Sequence, residues 1–253
     1  MGLDDSASVS IIIPTLNEAK NLARSLRCLT ILDPPAKEII LVDGGSCDGT
    51  VAIAQSFKTT LHISVVHSPI AKRSVQMNLG AQQANGDILC FLHGDTTVPD
   101  DAIAIITKTL NNPVTSCGGF ISIMRGETTT RWLTSLHNSL KTYYAPLLFR
   151  PWQFFRYGLR ILFGDQVMFC RRQDFLNCGG FNPTLEIMEE ADLCFKLSRK
   201  GKIKQVNRVV QSSDRRVAAW GVWKANFIYL AIGALWSVGV SDKTLKRFYE
   251  DIR

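Results

Sequence analysis

The 253-residue chain has no C-x-x-C pair among its seven cysteines, Cys28, Cys47, Cys90, Cys117, Cys170, Cys178 and Cys194. That disfavours a structural zinc site, and several of these cysteines stand in apolar runs, where the residue acts as a small hydrophobe. Leu3 to Ser8 is polar and acidic instead of apolar, so no secretory leader is expected, and the compartment reads as reducing and cytosolic. The charge-free stretch Ala225 to Val240 is only 16 residues long and carries Asn226 and Ser237. Crossing a bilayer takes about 20 apolar residues, so a buried or interfacial helix is expected there. After the first apolar run the chain reads Pro14-Thr15-Leu16-Asn17-Glu18, without glycine. A dinucleotide-binding enzyme would place G-x-G-x-x-G at that point. A P-loop NTPase is excluded by the lack of any G-x-x-x-x-G-K. The sequence shows no internal repeat, low-complexity linker or nucleic-acid-binding motif.

What is present is a globular, basic chain. Apolar residues make up 46% and the net charge is +7, enough apolar content for a sizeable core. Residues 1–120 hold 8 Lys+Arg against 11 Asp+Glu, and the remainder holds 21 against 11. A basic second part suits phosphate or an anionic membrane; a solvated basic surface is the plainer alternative.

Val9 to Ile13 is a β-branched run stopped by Pro14 and predicts a buried first strand. Asn17 can cap a helix whose apolar positions Leu22, Leu26 and Leu29 recur at helical spacing. Pro34-Pro35 ends it, Glu38 to Val42 forms a second strand, and residues 43–50 form a turn-rich loop. A short helix, a strand over Leu61 to Val66, a helix over 72–84 and a strand over Ile88 to Leu92 follow. This alternation predicts an α/β fold with a mostly parallel central sheet flanked by helices. Asp100 to Asn111 reads as a helix and Gly118 to Met124 as a strand. Arg131 to Arg160 mixes Trp132, Tyr143, Trp152 and Phe155 with Lys141, Arg150 and Arg156. Such a stretch suits a half-buried helical flap or a membrane-facing surface; single-stranded nucleic acid is a weaker match.

Chemistry concentrates where the Ile88–Leu92 run meets His93-Gly94-Asp95. Ligands of open α/β sheets sit at the carboxyl ends of the strands. Gly94 lets a bulky anion approach the backbone, and Asp95 offers a hard oxygen to Mg²⁺ or Mn²⁺ carrying phosphates. Asp95 could instead simply cap the next helix.

These motifs together resemble a family-2 glycosyltransferase of the GT-A fold. The resemblance rests on VSIIIPTLNE, EIILVDGGSCDGT, the HGD strand end, Gly164-Asp165-Gln166, Cys178-Gly179-Gly180-Phe181-Asn182 and Met188-Glu189-Glu190-Ala191-Asp192-Leu193, in the family's order over about residues 8–216. The His-Gly-Asp ending, the GDQ element and Ser212-Ser213-Asp214-Arg215-Arg216 are similar to a small bacterial subgroup associated with arsenosugar biosynthesis.

The resemblance implies one GT-A domain over 1–253, with a nucleotide-binding half to 115, an acceptor half over 116–216 and C-terminal helices over 217–253. It implies a metal-dependent, inverting transfer of a sugar from a nucleotide-diphosphate donor, most commonly a UDP-sugar, to an unknown acceptor hydroxyl. Asp95 would hold the Mn²⁺ or Mg²⁺, and His93 would either ligate the metal or hydrogen-bond the nucleotide. Pro14, Thr15, Glu18, Asp43, Gly44, Arg73, Asn78, His93 and Gly94 would contact the nucleotide, with Arg215 and Arg216 clamping the diphosphate. Asp43 could instead anchor its own turn, and Asn78 could be structural. Glu190 falls at the position of the catalytic base, with Glu189 in reserve and Asp165 facing the acceptor. The implied setting is cytoplasmic, at the inner face of a membrane through a peripheral contact, with no nucleic-acid partner and a homodimer left open. A nucleotidyltransferase, a non-catalytic nucleotide- or glycan-binding module and a membrane-associated scaffold are the alternatives.

Overall fold

Alternation within the first strand builds two cores at once. The structure is a computed structural model and describes residues 7–249. Residues 1–6, most of the stretch bearing on a leader, and 250–253, the end of the C-terminal helical segment, lie outside the described residues. The chain runs β1 (Val9–Thr15), α1 (Ala19–Leu29), β2 (Glu38–Asp43), α2 (Thr50–Ser56), β3 (Ile63–His67), α3 (Arg73–Gln83), β4 (Ile88–Phe91) and α4 (Ala102–Asn111). It continues through β5 (Thr115–Arg125), α5 (Trp132–Phe149), α6 (Pro151–Tyr157), a 3-10 turn (Gly164–Gln166), β6 (Phe169–Arg171), α7 (Arg172–Asn177) and α8 (Glu189–Ser198). The last elements are β7 (Lys202–Ser213), α9 (Arg215–Trp220), α10 (Val222–Ser237) and α11 (Asp242–Lys246).

Successive strand side chains point to opposite faces. Ile11 and Ile13 therefore pack with Leu22, Leu26 and Ile106, while Ile12 packs with Met77, Leu89 and Leu193. Among the described residues the seven strands form one sheet in the order β3-β2-β1-β4-β6-β5-β7. The first four are mutually parallel. β6 runs antiparallel to both β4 and β5, and β7 rejoins β5 in parallel. The expected mostly parallel α/β sheet thus forms, with one reversed strand at its centre.

Local expectations shift where turns compete. β3 begins at Ile63 because Thr60 and Leu61 still donate backbone N–H groups to the Phe57 carbonyl, closing the end of α2. Asn17 does not cap α1. It adopts a left-handed φ of 54° and its Oδ1 accepts the Cys47 N–H, while Glu18 is the N-cap residue. The aromatic, basic stretch folds as α5 and α6, parted at Arg150, with Pro151 in the first turn of α6, where its missing N–H costs nothing. α10 is half covered: Ala225 and Ile232 are buried, whereas Trp223 and Phe227 are exposed. No helix among the described residues is long and apolar enough to cross a membrane.

Candidate active site

β1 has β2 on one side and β4 on the other, all three parallel. That arrangement leaves a crevice beyond their carboxyl ends, the usual ligand site of such sheets. The Thr15–Glu18 loop and His93-Gly94-Asp95 form its two lips. They are close-packed, since a Cβ on Gly94 would lie 3.4 Å from both Thr15 and Glu18 side chains. The reversed β6 brings Gly164–Gln166 to the same end, where Phe91 N–H donates to the Met168 carbonyl. A Cβ on Gly164 would stand 2.5 Å from His93 Nε2 and 2.6 Å from Glu190 Oε1. Only glycine fits where the imidazole and that carboxylate converge.

Three distant segments meet on one guanidinium. Arg215 Nη1 and Nη2 donate to the two Glu18 carboxylate oxygens at 3.0 and 2.7 Å, and Nη2 lies 3.3 Å from Asp95 Oδ2. Burial alone would lower the Arg215 pKa, but Glu18 and Asp95 carry it above its ordinary value. Burial, reinforced by the charges of Arg73, Arg215 and Arg216, holds His93 well below the usual imidazole range. It is neutral at physiological pH, with a nitrogen lone pair to offer. Among the described residues no three His, Cys, Asp or Glu side chains converge as metal ligands. The donor chemistry nonetheless fits an ion that takes one protein carboxylate and fills its shell from phosphates: Asp95 supplies the oxygen, with His93 two residues away.

Glu189 and Glu190 open α8, where the helix dipole favours negative charge. Both are buried. Arg73 Nη1 lies 3.5 Å from Glu190 Oε1 and 3.7 Å from Glu189 Oε1. Burial first, and the adjacent Glu189 charge second, outweigh that cation and raise Glu190 to about 7. Such a carboxylate accepts protons near neutrality. Asp192, by contrast, pairs with Lys196 at 2.8 Å along the helix.

Other residues expected at the nucleotide make contacts within the protein. Asp43 is buried, and its Oδ2 accepts the N–H groups of Gly45 and Ser46 at 2.9 Å each. Its Oδ1 accepts the Ser46 hydroxyl at 2.5 Å and the Thr15 hydroxyl at 3.4 Å. The carboxylate is spent on its own loop. Gly44 is hemmed in by Ala71 and Gln76, each 3.1 Å from where a Cβ would be. Pro14 is buried within β1 opposite Val42. Asn78 departs most from expectation: its amide clasps Phe181, donating to the carbonyl at 2.8 Å and accepting the N–H at 2.9 Å. Arg216 also turns away from the Glu18–Asp95 pair. Its guanidinium lies 4.2 Å from the Tyr249 ring centroid, and its charge acts on the Tyr229 hydroxyl.

A single cavity is lined by Arg73, His93, Asp95, Glu189, Glu190, Arg215 and Asp165. There Asp165 Oδ2 accepts from Asn138 Nδ2 at 2.7 Å. Burial raises its pKa, opposed by the charge of Lys141. Lys141 and Asn138 were not anticipated as site residues, although their i,i+3 spacing places them on one helix face. Gly164, at the meeting point of His93 and Glu190, was visible only as part of the GDQ element.

Residues 10–177 match the model of glycosyl transferase family 2. Glycosyltransferase AglE of Haloferax volcanii is 39% identical over 92 residues, 34% of this chain and 30% of that protein. The pre-mycofactocin glycosyltransferase of Mycobacterium tuberculosis is 26% identical over 198 residues, 76% of this chain and 39% of that protein. The chain thus spans less than half the length of these curated relatives. In fold it is similar to a mannosyltransferase of Pyrobaculum calidifontis solved with GDP-Man and Mn²⁺, with a TM-score of 0.69 and 17% identity over 97% of this chain and 69% of that one.

Proposed function

The chain belongs to glycosyl transferase family 2, and on that premise we propose that it transfers a sugar from a nucleotide-diphosphate donor to an acceptor hydroxyl with inversion at the anomeric carbon. The observation that carries this reading is the single cavity lined together by Glu190, Asp95 and Arg215. Glu190 takes the proton of the acceptor hydroxyl as its oxygen attacks the anomeric carbon. The bond from that carbon to the diphosphate oxygen breaks, and its electron pair leaves with the nucleoside diphosphate. Arg73 and Arg215 face the negative charge that develops there. Asp95 would hold Mn²⁺ or Mg²⁺, with His93 as a nitrogen donor in reserve; when bound, the ion neutralises charge on the leaving diphosphate. The Mn²⁺ in the mannosyltransferase structure supports that assignment. UDP is the first base to test, because other fold neighbours were solved with UDP or UDP-GlcNAc. The resemblance to the arsenosugar-associated subgroup makes small glycosides, alongside glycolipids, the first acceptors to try.

A peripheral contact with the inner face of an anionic membrane completes the proposal. Trp152 and Phe155 on α6 are 69% and 75% exposed, and Trp223 and Phe227 on α10 are 81% and 72% exposed. Arg150, Arg156 and Lys224 stand beside them in sequence, the mix of aromatic and basic side chains that interfacial surfaces use. Vesicles containing phosphatidylserine should retain the protein and neutral vesicles should not; a dimer in light scattering without vesicle binding would assign the face to a second copy.

The deciding experiment is a titration with UDP, GDP, CDP and dTDP, with and without Mn²⁺, on wild type and Asp95→Asn. One nucleotide should bind selectively, more tightly with Mn²⁺, and the gain from metal should vanish in the variant. Equal, metal-independent binding of all four, or none, would overturn the donor assignment.

A further inference from the structure

The cavity is also lined by two cations outside the Glu18–Arg215–Asp95 cluster, Lys141 and Arg216. Lys141 is only 8% exposed, yet it lines the cavity. Its Nζ lies 3.8 Å from the Phe163 ring centroid and 5.3 Å from that of Tyr229. Aromatic faces stabilise the charge but leave three N–H donors without an acceptor of ordinary strength. The carboxylate whose field reaches it, Asp165, is held by Asn138 and makes no ion pair with it within 4.0 Å among the described residues. Arg216 reaches the same region, its charge acting on the Tyr229 hydroxyl, and its Nε is buried with no hydrogen-bond partner. Tyr229 therefore stands near two cations, the buried Lys141 and the half-buried Arg216.

A buried ammonium or guanidinium is costly unless paired and hydrogen-bonded. Apolar neighbours such as Met124, Ile161 and Ile232 offer no compensation. The Asp165 charge and the two rings offset part of the cost at Lys141, and an entering anion offsets more. We infer that Lys141 and Arg216 form an anchor for an anionic oxygen group, a carboxylate or a phosphate ester, carried by the acceptor. The inference rests on the transfer reading above and adds the acceptor's chemical class: a hydroxyl compound with a negative group set back from the reacting oxygen. Burial lowers Lys141 to about 8, so it is mostly charged at neutral pH and loses its grip on anions in mildly alkaline solution.

The test first confirms UDP binding, then titrates the full chain, saturated with UDP and Mn²⁺ to fill the donor side, with D-glycerate, glycerol 3-phosphate and glycerol. At least one anion should bind and glycerol should not; which anion binds more tightly separates carboxylate from phosphate. Lys141→Met keeps the buried stem and should weaken anion binding at least about tenfold, as expected for losing a charged hydrogen-bonding partner. Lys141→Arg, which keeps a counter-charge for Asp165, should retain most of it and guards against misfolding of the first variant. Equal anion affinity in wild type and Lys141→Met, or glycerol binding as tightly as the anions, would overturn the anchor while leaving the donor reading intact. Failure of all four nucleotides to bind would remove the donor reading, and with it the acceptor assignment made here; if a nucleotide other than UDP binds, it takes the place of UDP in the titration.

Discussion

The proposed donor and acceptor regions of the cavity solve opposite problems. On the donor side nearly every polar group already has its partner: Asp43 is spent on its loop, Gln76 donates to the Thr15 and Val42 carbonyls at 2.8 Å each, and Glu18 and Asp95 share Arg215. On the acceptor side charges are buried among rings with donors to spare, and the helices behind them expose large aromatic side chains. The first region is finished before ligand arrives, as preorganised electrostatics requires. The second is shaped to be completed by something else.

The largest expected effect tests whether chemistry sits between these regions. Glu190→Gln should lower turnover by about 10²- to 10⁴-fold, the range for a general base, while UDP binding persists; turnover near wild type would move the base elsewhere. Next comes pH. Glu190 is raised to about 7 from an ordinary carboxylate value, so the folded state binds more protons than the unfolded one in that interval. Stability therefore falls as pH rises from about 4.5 to about 7, while the rate rises over its upper part. Glu190→Gln should remove that slope and stabilise the protein at pH 8, on the order of 1–3 kcal/mol, read by denaturant unfolding across pH.

A smaller effect sharpens the division between frame and contact. Asn78→Ala should destabilise by roughly 1–3 kcal/mol, because it orphans the Phe181 N–H and carbonyl, yet leave the UDP Kd unchanged. A weakened Kd at unchanged stability would return Asn78 to the nucleotide. Smallest of all, Phe155→Ser should weaken vesicle binding roughly three- to tenfold, a fraction of the value of a fully buried aromatic side chain, without altering nucleotide affinity.

The contrast also explains what was legible in the sequence. The donor side is written in short apolar runs that end in turn residues, so β1, β2, β4 and the His93-Gly94-Asp95 edge could be read from local pattern. Which groups hold the Asp43 carboxylate emerged only when the donors around it could be counted. The acceptor side depends on contacts that no period announces: reversed β6 carrying Gly164 to His93, and α5 presenting Lys141 to Phe163. Arg216 looked equivalent to Arg215 because the two are adjacent. Consecutive positions at the start of a helix face different ways, and the structure separates their partners accordingly.

The pairing of Glu18 with Arg215 joins residues 197 positions apart. During synthesis at about 5–20 residues per second, the first partner leaves the ribosome roughly 10–40 s before the second. Through that interval Glu18 and Asp95 lack the guanidinium that joins them in the finished fold, and this cation reaches the crevice only when α9 docks.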